Sequence, residues 1–189
     1  ERFRSEMDRY SLRRLVADIP QLSSLEVLPP EDIWVRLSKT TYEAMKKLKR
    51  DYILEHPDLD TPEAFESGGH VAIRLRQLAS VPPTVDNPKL NALKDLLEEL
   101  EGQRVIIFCW FRETAKRAAA AVRSKKRPVM LATGDQTTQQ KVAAIDLYNQ
   151  EPNGTIVATI AAMKEGANLQ AGHTVIFLEE ADLPADLDQ

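Results

Sequence analysis

The segment from Thr155 to Leu178 has polar residues at the point where an apolar run ends. Two runs rich in β-branched residues, 155–159 and 174–178, flank a more polar stretch. This part of the chain carries five residues that could contact a ligand: Thr159, Lys164, Glu165, Gly166 and Asn168. In an open parallel sheet, ligands bind outside the carboxyl ends of the strands, because the loops there leave backbone groups free. The pattern therefore predicts a strand, a functional loop and a second strand.

Two other apolar runs also end in residues that could bind a ligand. The stretch 110–112, Trp-Phe-Arg, closes the run that starts at Val105, and the loop 133–138 follows the run 129–132. Because parallel strands all point the same way, the three strand ends should lie at one edge of the sheet. The loop 133–138 also enters a predicted helix, whose first N–H groups and dipole favour an anion. We therefore expect a surface at this edge that binds phosphate groups.

Loop 133–138 also has a purely structural explanation. Gly134 and Asp135 suit a tight turn, and Thr137 or Thr138 suits the cap of the following helix. Taken alone, the loop favours the turn and the cap. Together with the other two strand ends, it favours phosphate binding.

The sequence lacks the groups that carry out phosphoryl transfer. Five residues separate Gly166 from Gly172 and a histidine follows, whereas a nucleotide P-loop needs four residues and then a lysine. No other segment supplies such a loop or an acidic magnesium site. Cys109 lies inside an apolar run, which favours a core position, and the three histidines lack a metal-ligand spacing. We expect neither a catalytic residue nor a metal site in this chain.

The charged residues are unevenly distributed along the chain. The net charge of −4 argues against general affinity for nucleic acid. Between residues 112 and 127, however, seven residues are basic and one is acidic, whereas 179–188 contains five acids and no base. A run of like charge is usually a solvated face, so the basic stretch by itself is weak evidence for phosphate contact.

The composition indicates an intracellular protein. The single cysteine excludes an internal disulfide, which agrees with a reducing compartment. No apolar run reaches the roughly 18–20 residues of a membrane span, and no signal peptide stands at the charged start. We expect a location in the cytoplasm or nucleoid, or in the nucleus of a eukaryote. Because the chain starts without methionine and stops at Gln189 without a terminating signal, we expect an excised piece of a longer protein.

The first part of the chain is predicted to be mainly helical. Apolar residues recur at helical intervals over 3–19, and alternation over 33–37 predicts a half-buried strand. Capping-box spacing at 40–43 predicts the start of a helix. Its apolar face is predicted to contain four residues: Tyr42, Met45, Leu48 and Tyr52. A loop over 56–69 and a helix around 71–78 are expected to follow.

The second part of the chain predicts an α/β fold with a doubly wound parallel sheet and helices on both faces. Asn87-Pro88 marks a helix start, and leucines follow on one face. Four apolar runs come next, with predicted helices between them: 105–110, 129–132, 156–158 and 175–178. Runs that are apolar throughout suit strands covered on both faces. We therefore predict a helical segment over 1–85 and the sheet domain over 86–189.

The segment from Thr159 to Phe177 resembles motif V of the Swi/Snf-type ATPases, the duplex-translocating branch of the superfamily-two helicases. The likeness is greatest to annealing-helicase members, in which Thr-Ala-Ala stands before the equivalent of Gly-x-x-Leu. Other segments line up with the same family in chain order: 74–78 with a helix that carries a Leu-Arg pair, 105–111 with motif IV, 133–138 with the Asp-Gly-Ser loop, Pro184 with the Pro of Trp-Asn-Pro and Gln189 with the first Gln of motif VI.

The resemblance implies the second, RecA-like lobe of a DNA-dependent ATPase that moves along double-stranded DNA. By resemblance, nine residues would bind the DNA backbone: Trp110, Arg112, Gly134, Asp135, Thr137, Thr138, Thr159, Ala162 and Lys164. Four would lie towards ATP in the cleft between the lobes: Glu165, Gly166, Asn168 and Gln189. A first RecA-like lobe of the same protein would bind most of the ATP and Mg²⁺. The arginine fingers would follow Gln189, so this chain alone is expected to be inactive.

The chain departs from the family pattern at two places. Met163-Lys164 replaces the frequent Gly-Gly, and Asp182-Leu183 stands where Trp-Asn is usual. With the acidic tail, these departures also fit a non-catalytic RecA-like module that docks another protein. A free-standing small-molecule binder is the third interpretation, and the sequence does not separate chromatin-type remodelling, strand annealing, fork regression and restriction-type translocation.

Overall fold

The computed structural model describes residues 28–57, 59–82, 87–124, 126–163 and 167–179. Contacts divide the chain into two units, 1–34 and 35–189. The first unit is described only from residue 28, where the backbone has no regular structure, and the predicted helix over 3–19 lies outside the described residues. The proposed division of the chain near residue 85 stays a prediction.

The second unit begins with two helices and a small antiparallel strand pair. Helix α1 (Lys39–Asp51), strand β1 (Ile53–Leu54), strand β2 (Glu63–Ala64) and helix α2 (Gly68–Ser80) follow one another. A small apolar core unites them: Ala44, Leu48, Leu54, Val71 and Leu78. The guanidinium of Arg74 on α2 binds both carboxylate oxygens of Glu63 at 2.8 Å, which attaches the strand pair to this helix.

Several predictions for this part were wrong in detail. Residues 33–37 form no strand, and Trp34 is 92% exposed because no neighbouring strand pairs with this stretch in the described part of the chain. Helix α1 starts two residues early, since the Ser38 side chain accepts a hydrogen bond from the Thr41 amide at 3.1 Å. The expected loop over 56–69 contains β2 and the first turn of α2, which Ser67 caps.

The buried face of α1 also differs from the predicted one. Thr41, Ala44 and Leu48 face the core, whereas Tyr42 and Tyr52 are exposed. The prediction was correct for Leu48, which is buried, and for Met45, which packs against the same core, and it was wrong for the two tyrosines.

The remaining elements form the predicted parallel sheet. Helix α3 (Pro88–Glu99), strand β3 (Val105–Cys109), helix α4 (Arg112–Val122), strand β4 (Val129–Ala132), helix α5 (Thr138–Gln150), strand β5 (Thr155–Thr159), short helix α6 (Ile160–Met163) and strand β6 (Thr174–Phe177) follow in order. The strands pair in the order β4-β5-β3-β6, and every pairing is parallel. As predicted, the Asn87 side chain caps α3 by accepting from the amides of Lys89 and Leu90.

Helices cover both faces of the sheet. Alternate residues of β3 point to opposite sides: Val105, Ile107 and Cys109 pack with leucines of α3 and alanines of α4. Ile106 packs on the other side with Tyr148 of α5. All five residues of β5 are buried. Burial on both faces is the reason β3 and β5 are apolar throughout rather than alternating. The same burial was expected for β6, but this strand lies at the sheet edge, and Val175 and Phe177 are exposed.

Arg127 shows that the basic stretch 112–127 is not a single solvated face. Its side chain is 6% exposed. The guanidinium donates to the carbonyl oxygens of Leu97, Leu100 and Gln103 and to Thr155 Oγ1, at 2.7 to 3.1 Å. The last carbonyls of a helix have no partner within it, so Arg127 closes the end of α3 and ties it to the start of β5.

Candidate nucleic-acid interface

The turn between β3 and α4 carries Trp110, Phe111 and Arg112. The amides of Trp110 and Phe111 donate to one carboxylate oxygen of Glu179, at 2.6 and 2.9 Å. The Thr114 hydroxyl donates to the other oxygen at 2.8 Å. Phe111, the N-cap residue of α4, makes no side-chain cap of its own. Glu179, just beyond the end of β6, therefore supplies the negative group that stabilises the start of α4.

A cation from the helical segment lies over both aromatic rings of this turn. The guanidinium carbon of Arg76 on α2 is 5.6 Å from the centre of the Trp110 ring and 5.7 Å from that of Phe111. Guanidinium groups at this distance are attracted to the faces of aromatic rings. Both rings are half-buried, so the turn combines aromatic surface with positive charge.

Internal hydrogen bonds hold the loop 133–138 in shape. The Gln136 side chain accepts from the Thr133 amide at 2.6 Å and donates to the Leu131 carbonyl at 2.7 Å. Thr137 caps α5 in a capping box with Gln140, which confirms the structural explanation of this threonine. Gly134 and Asp135 are exposed at the tip of the loop.

An ion-pair cluster joins the two loops. The Asp135 carboxylate binds the Arg112 guanidinium through one oxygen and the Lys116 ammonium, at 2.6 Å, through the other. Hydrogen bonds from Lys116 and then Arg112 hold the pKa of Asp135 below its usual value. All three groups remain accessible to solvent. The expected convergence of these two strand ends is therefore present, and one acid offsets part of the positive charge there.

The other residues predicted to contact the DNA backbone differ in their exposure to solvent. Thr138 is the first residue of α5 and is exposed. Thr159 pairs with Cys109 in register but is only 3% exposed. Ala162 is half-buried on α6. Their contact with a nucleic acid stays a prediction, and Lys164 lies outside the described residues.

Among the four residues predicted to face ATP, the structure describes only Asn168. It is exposed, its side-chain oxygen accepts from the Gln170 amide at 3.3 Å, and its carbonyl accepts from Asn149 at 3.0 Å. The bond from Asn149 attaches the loop before β6 to the end of α5. Glu165, Gly166 and Gln189 lie outside the described residues.

The described part of the chain gives little support to metal binding or to a reactive cysteine. Within it, no group of three or more His, Cys, Asp or Glu side chains could hold a metal ion. Burial raises the pKa of the Cys109 thiol, and the neighbouring Glu179 charge adds to this effect, so the reactive thiolate is disfavoured. Over the same residues, no helix has the length and apolar character needed to cross a membrane.

Sequence reasoning missed Glu179 as part of this site. Its position in an acidic tail suggested a solvated charge, yet the side chain is 7% exposed and fully engaged. It directly follows the apolar run of β6. The other candidate residues were chosen because they directly follow an apolar run, and the same reason applied to Glu179.

Four parallel strands, helices on both faces and polar loops at the strand ends define a RecA-like lobe. The family model of the helicase conserved C-terminal domain matches residues 88–189, more than half of the chain. The chain belongs to this family. The DEAD-box helicase Dbp80 of Drosophila melanogaster is 28% identical over 100 residues, which cover 53% of this chain and 21% of that protein. The chain thus spans about a fifth of this curated relative.

A solved structure with a TM-score above 0.5 shows the same fold. The SWI2/SNF2 ATPase C-terminal domain of Sulfolobus solfataricus matches with a TM-score of 0.51 and 20% identity, over 58% of this chain and 54% of that one. Domain 2 of the DEAD-box helicase Mss116p, solved bound to an RNA duplex, matches with a TM-score of 0.46 and 16% identity, over 52% and 40% of the two chains. The predicted fold class is confirmed.

Proposed function

We propose that this chain is the second motor lobe of an ATP-dependent translocase of the Swi/Snf type that moves along double-stranded DNA. The observation that carries the proposal is the ion-pair cluster of Arg112, Lys116 and Asp135, which brings two strand-end loops together at one edge of the sheet. Family membership supports a role in a helicase-like ATPase. The cluster and its surroundings support binding of a phosphate backbone.

The chemistry of this edge suits phosphate groups better than base edges. Arg112 offers a planar fork of donors that matches phosphate oxygens, and Lys116 adds a second cation one turn along α4. At the start of α5, the amides of Thr138 and Gln139 precede the first intrahelical bond and have no partner within the helix. Contacts of this kind position a duplex without reading its sequence, and their strength falls steeply with salt.

The nucleotide would lie between this lobe and a first RecA-like lobe of the same protein. Asn168, which is exposed, would face ATP together with Glu165, Gly166 and Gln189. The sequence contains neither a P-loop nor an acidic magnesium site, so the first lobe would hold Mg²⁺ and most of the ATP. Closing of the two lobes on ATP would then change the position of this lobe's DNA contacts and move the protein along the strand.

The test is ATP hydrolysis by the full-length protein without nucleic acid, with duplex DNA and with duplex RNA. We expect duplex DNA to stimulate hydrolysis and residues 1–189 alone to show none. Arg112→Gln should raise the half-saturating concentration of duplex, because one phosphate contact is lost. Lys126→Gln, which removes an exposed charge from the same basic stretch, should leave it unchanged.

Two outcomes would contradict the proposal. Stimulation by duplex RNA in place of duplex DNA would show that the substrate is wrong. Absence of hydrolysis under all three conditions would favour the docking-module interpretation, and the search would then turn to protein partners.

A further inference from the structure

Glu179 links two segments that are distant in sequence. It stands just after β6, and its carboxylate binds the backbone of the turn before α4, 69 residues away for Trp110 and 68 for Phe111. We propose that Glu179 is a positioning residue that holds Trp110 and Arg112 in the conformation that binds the nucleic-acid backbone. This inference rests on the proposed function, and its test separates the two.

The contacts of Glu179 define the conformation of the turn. One carboxylate oxygen accepts from two successive amides, so it fixes the direction of both peptide groups. The other accepts from Thr114, the third residue of α4, so the first turn of the helix is held by the same group. Arg112 lies between these anchors. Its side chain is therefore attached to a backbone that has little freedom to move.

Two neighbouring contacts keep Glu179 in place. The Lys89 ammonium donates to the carbonyl of Leu178, the preceding residue, and its pKa is lowered by burial and partly restored by the charge of Glu179. The Leu178 amide donates to the Phe108 carbonyl at 2.9 Å, which continues the pairing of β6 with β3. Because these bonds fix the main chain next to Glu179, its carboxylate stays in place and limits the movement of the turn that it binds.

The position of Glu179 also decides how the turn can bind phosphate. Its carboxylate already occupies the amides of Trp110 and Phe111. A phosphate on these two amides would have to displace a buried negative charge. The turn must therefore contact the nucleic-acid backbone through side chains, chiefly Arg112. The start of α5, in contrast, keeps main-chain amides that can donate to phosphate.

The test uses three variants of the full-length protein, and Trp110→Phe serves as the reference for fluorescence. Glu179→Met removes both acceptor oxygens at similar length, and Glu179→Gln keeps one acceptor and loses the charge. Thr114→Val is the matched control, because it removes the third hydrogen bond and leaves the two amide bonds intact. The measurements are the duplex DNA dependence of ATP hydrolysis, the thermal unfolding temperature and the quenching of Trp110 by acrylamide, a neutral quencher that the loss of a charge does not attract. The Trp110 signal is the emission that disappears in Trp110→Phe.

We expect Glu179→Met to raise the half-saturating duplex concentration about tenfold, as when preorganisation of a contact is lost. The maximal rate should change much less. Glu179→Gln should lie between Glu179→Met and the wild type. Thr114→Val should stay close to the wild type even if it unfolds at a lower temperature, because the bond from the Ala115 amide to the Phe111 carbonyl still holds the first turn of α4. Quenching of Trp110 should increase in Glu179→Met and not in Thr114→Val.

The outcomes distinguish a positioning role of Glu179 from a purely structural role, and both from a failure of the proposed function. If Glu179→Met lowers the unfolding temperature but leaves both duplex dependence and Trp110 quenching unchanged, Glu179 is only structural and the inference is wrong. If the wild type shows no stimulation by duplex, the proposed function fails, and quenching alone decides whether Glu179 holds the turn. If Glu179→Met does not fold, Glu179→Gln decides by the same two measurements.

Discussion

Replacing Arg127 with methionine should destabilise the protein without weakening its binding of nucleic acid. The guanidinium makes four hydrogen bonds that join α3, the loop after it and β5. Methionine fills a similar volume along the side-chain stem but donates no hydrogen bond. Three carbonyl oxygens and one hydroxyl would lose this donor, although the Leu100 carbonyl would still accept from the Gln103 amide at 3.1 Å.

The size of the effect follows from how far water can replace these bonds. A buried polar group left without a partner costs about 1–3 kcal/mol. A cleft of about 330 Å³ borders Arg127 and is lined by exposed side chains such as Glu98 and Lys126, so water can reach part of the site. We therefore expect a loss of about 2–4 kcal/mol in the free energy of unfolding, less than four independent penalties. At about 2–4 °C per kcal/mol, the unfolding temperature should fall by roughly 5–15 °C.

The assay compares Arg127→Met with Lys126→Met by urea denaturation and by duplex-stimulated ATP hydrolysis. Lys126 is adjacent and exposed, so its replacement should change the free energy of unfolding by less than about 0.5 kcal/mol. Neither variant should alter the half-saturating duplex concentration. If Arg127→Met unfolds like the wild type, the four hydrogen bonds do not stabilise the fold. If Arg127→Met raises the half-saturating duplex concentration as much as Arg112→Gln, Arg127 is a phosphate contact and not an internal one.

Three further predictions concern other sites. Asp135→Asn should free the two cations that this acid now binds. The half-saturating duplex concentration should then fall, and the slope of log affinity against log salt should steepen by about one. An unchanged slope would contradict this prediction. A Cβ on Gly172 would lie 2.2 Å from Tyr148 Oη, so Gly172→Ala should cost about 1–3 kcal/mol in urea denaturation. Tyr148→Phe removes a buried hydroxyl without a partner, so combining it with Gly172→Ala should recover part of that loss. Strictly additive effects of the two substitutions would argue against the clash. Because burial raises the pKa of the Cys109 thiol, alkylation by iodoacetamide at pH 8 should be slow in the native protein and fast in urea, and rapid native labelling would count against a buried thiol.

The parallel sheet and its helices could be predicted from the sequence because their signals are local. Continuous apolar runs such as 105–109 and 155–159 reflect burial on both faces, and Asn87 before a proline marks the start of α3 through its own side chain. The meeting of 110–112 with the loop 133–138 follows from topology alone, since parallel strands end at one edge. The roles of these residues in binding stay predictions.

Local patterns failed where a decision depended on partners elsewhere in the fold. The alternation over 33–37 suits a strand, but a strand needs a neighbour to bond with, and none pairs with this stretch in the described residues. Tyr42 of α1 is apolar enough for a core, yet packing against α2 and β1 selects the face with Thr41 and Ala44.

The sequence by itself determined the four strands of the parallel sheet and the helices α3, α4 and α5, because backbone geometry and burial restrict the residues in each of these segments. Only the tertiary structure decided which charges are internal. Glu179 stands in an acidic tail and Arg127 in a basic stretch, yet both are buried, because backbone donors of the turn before α4 and carbonyls at the end of α3 need partners. Those partners are about 70 and 30 residues away along the chain, beyond the reach of any local pattern.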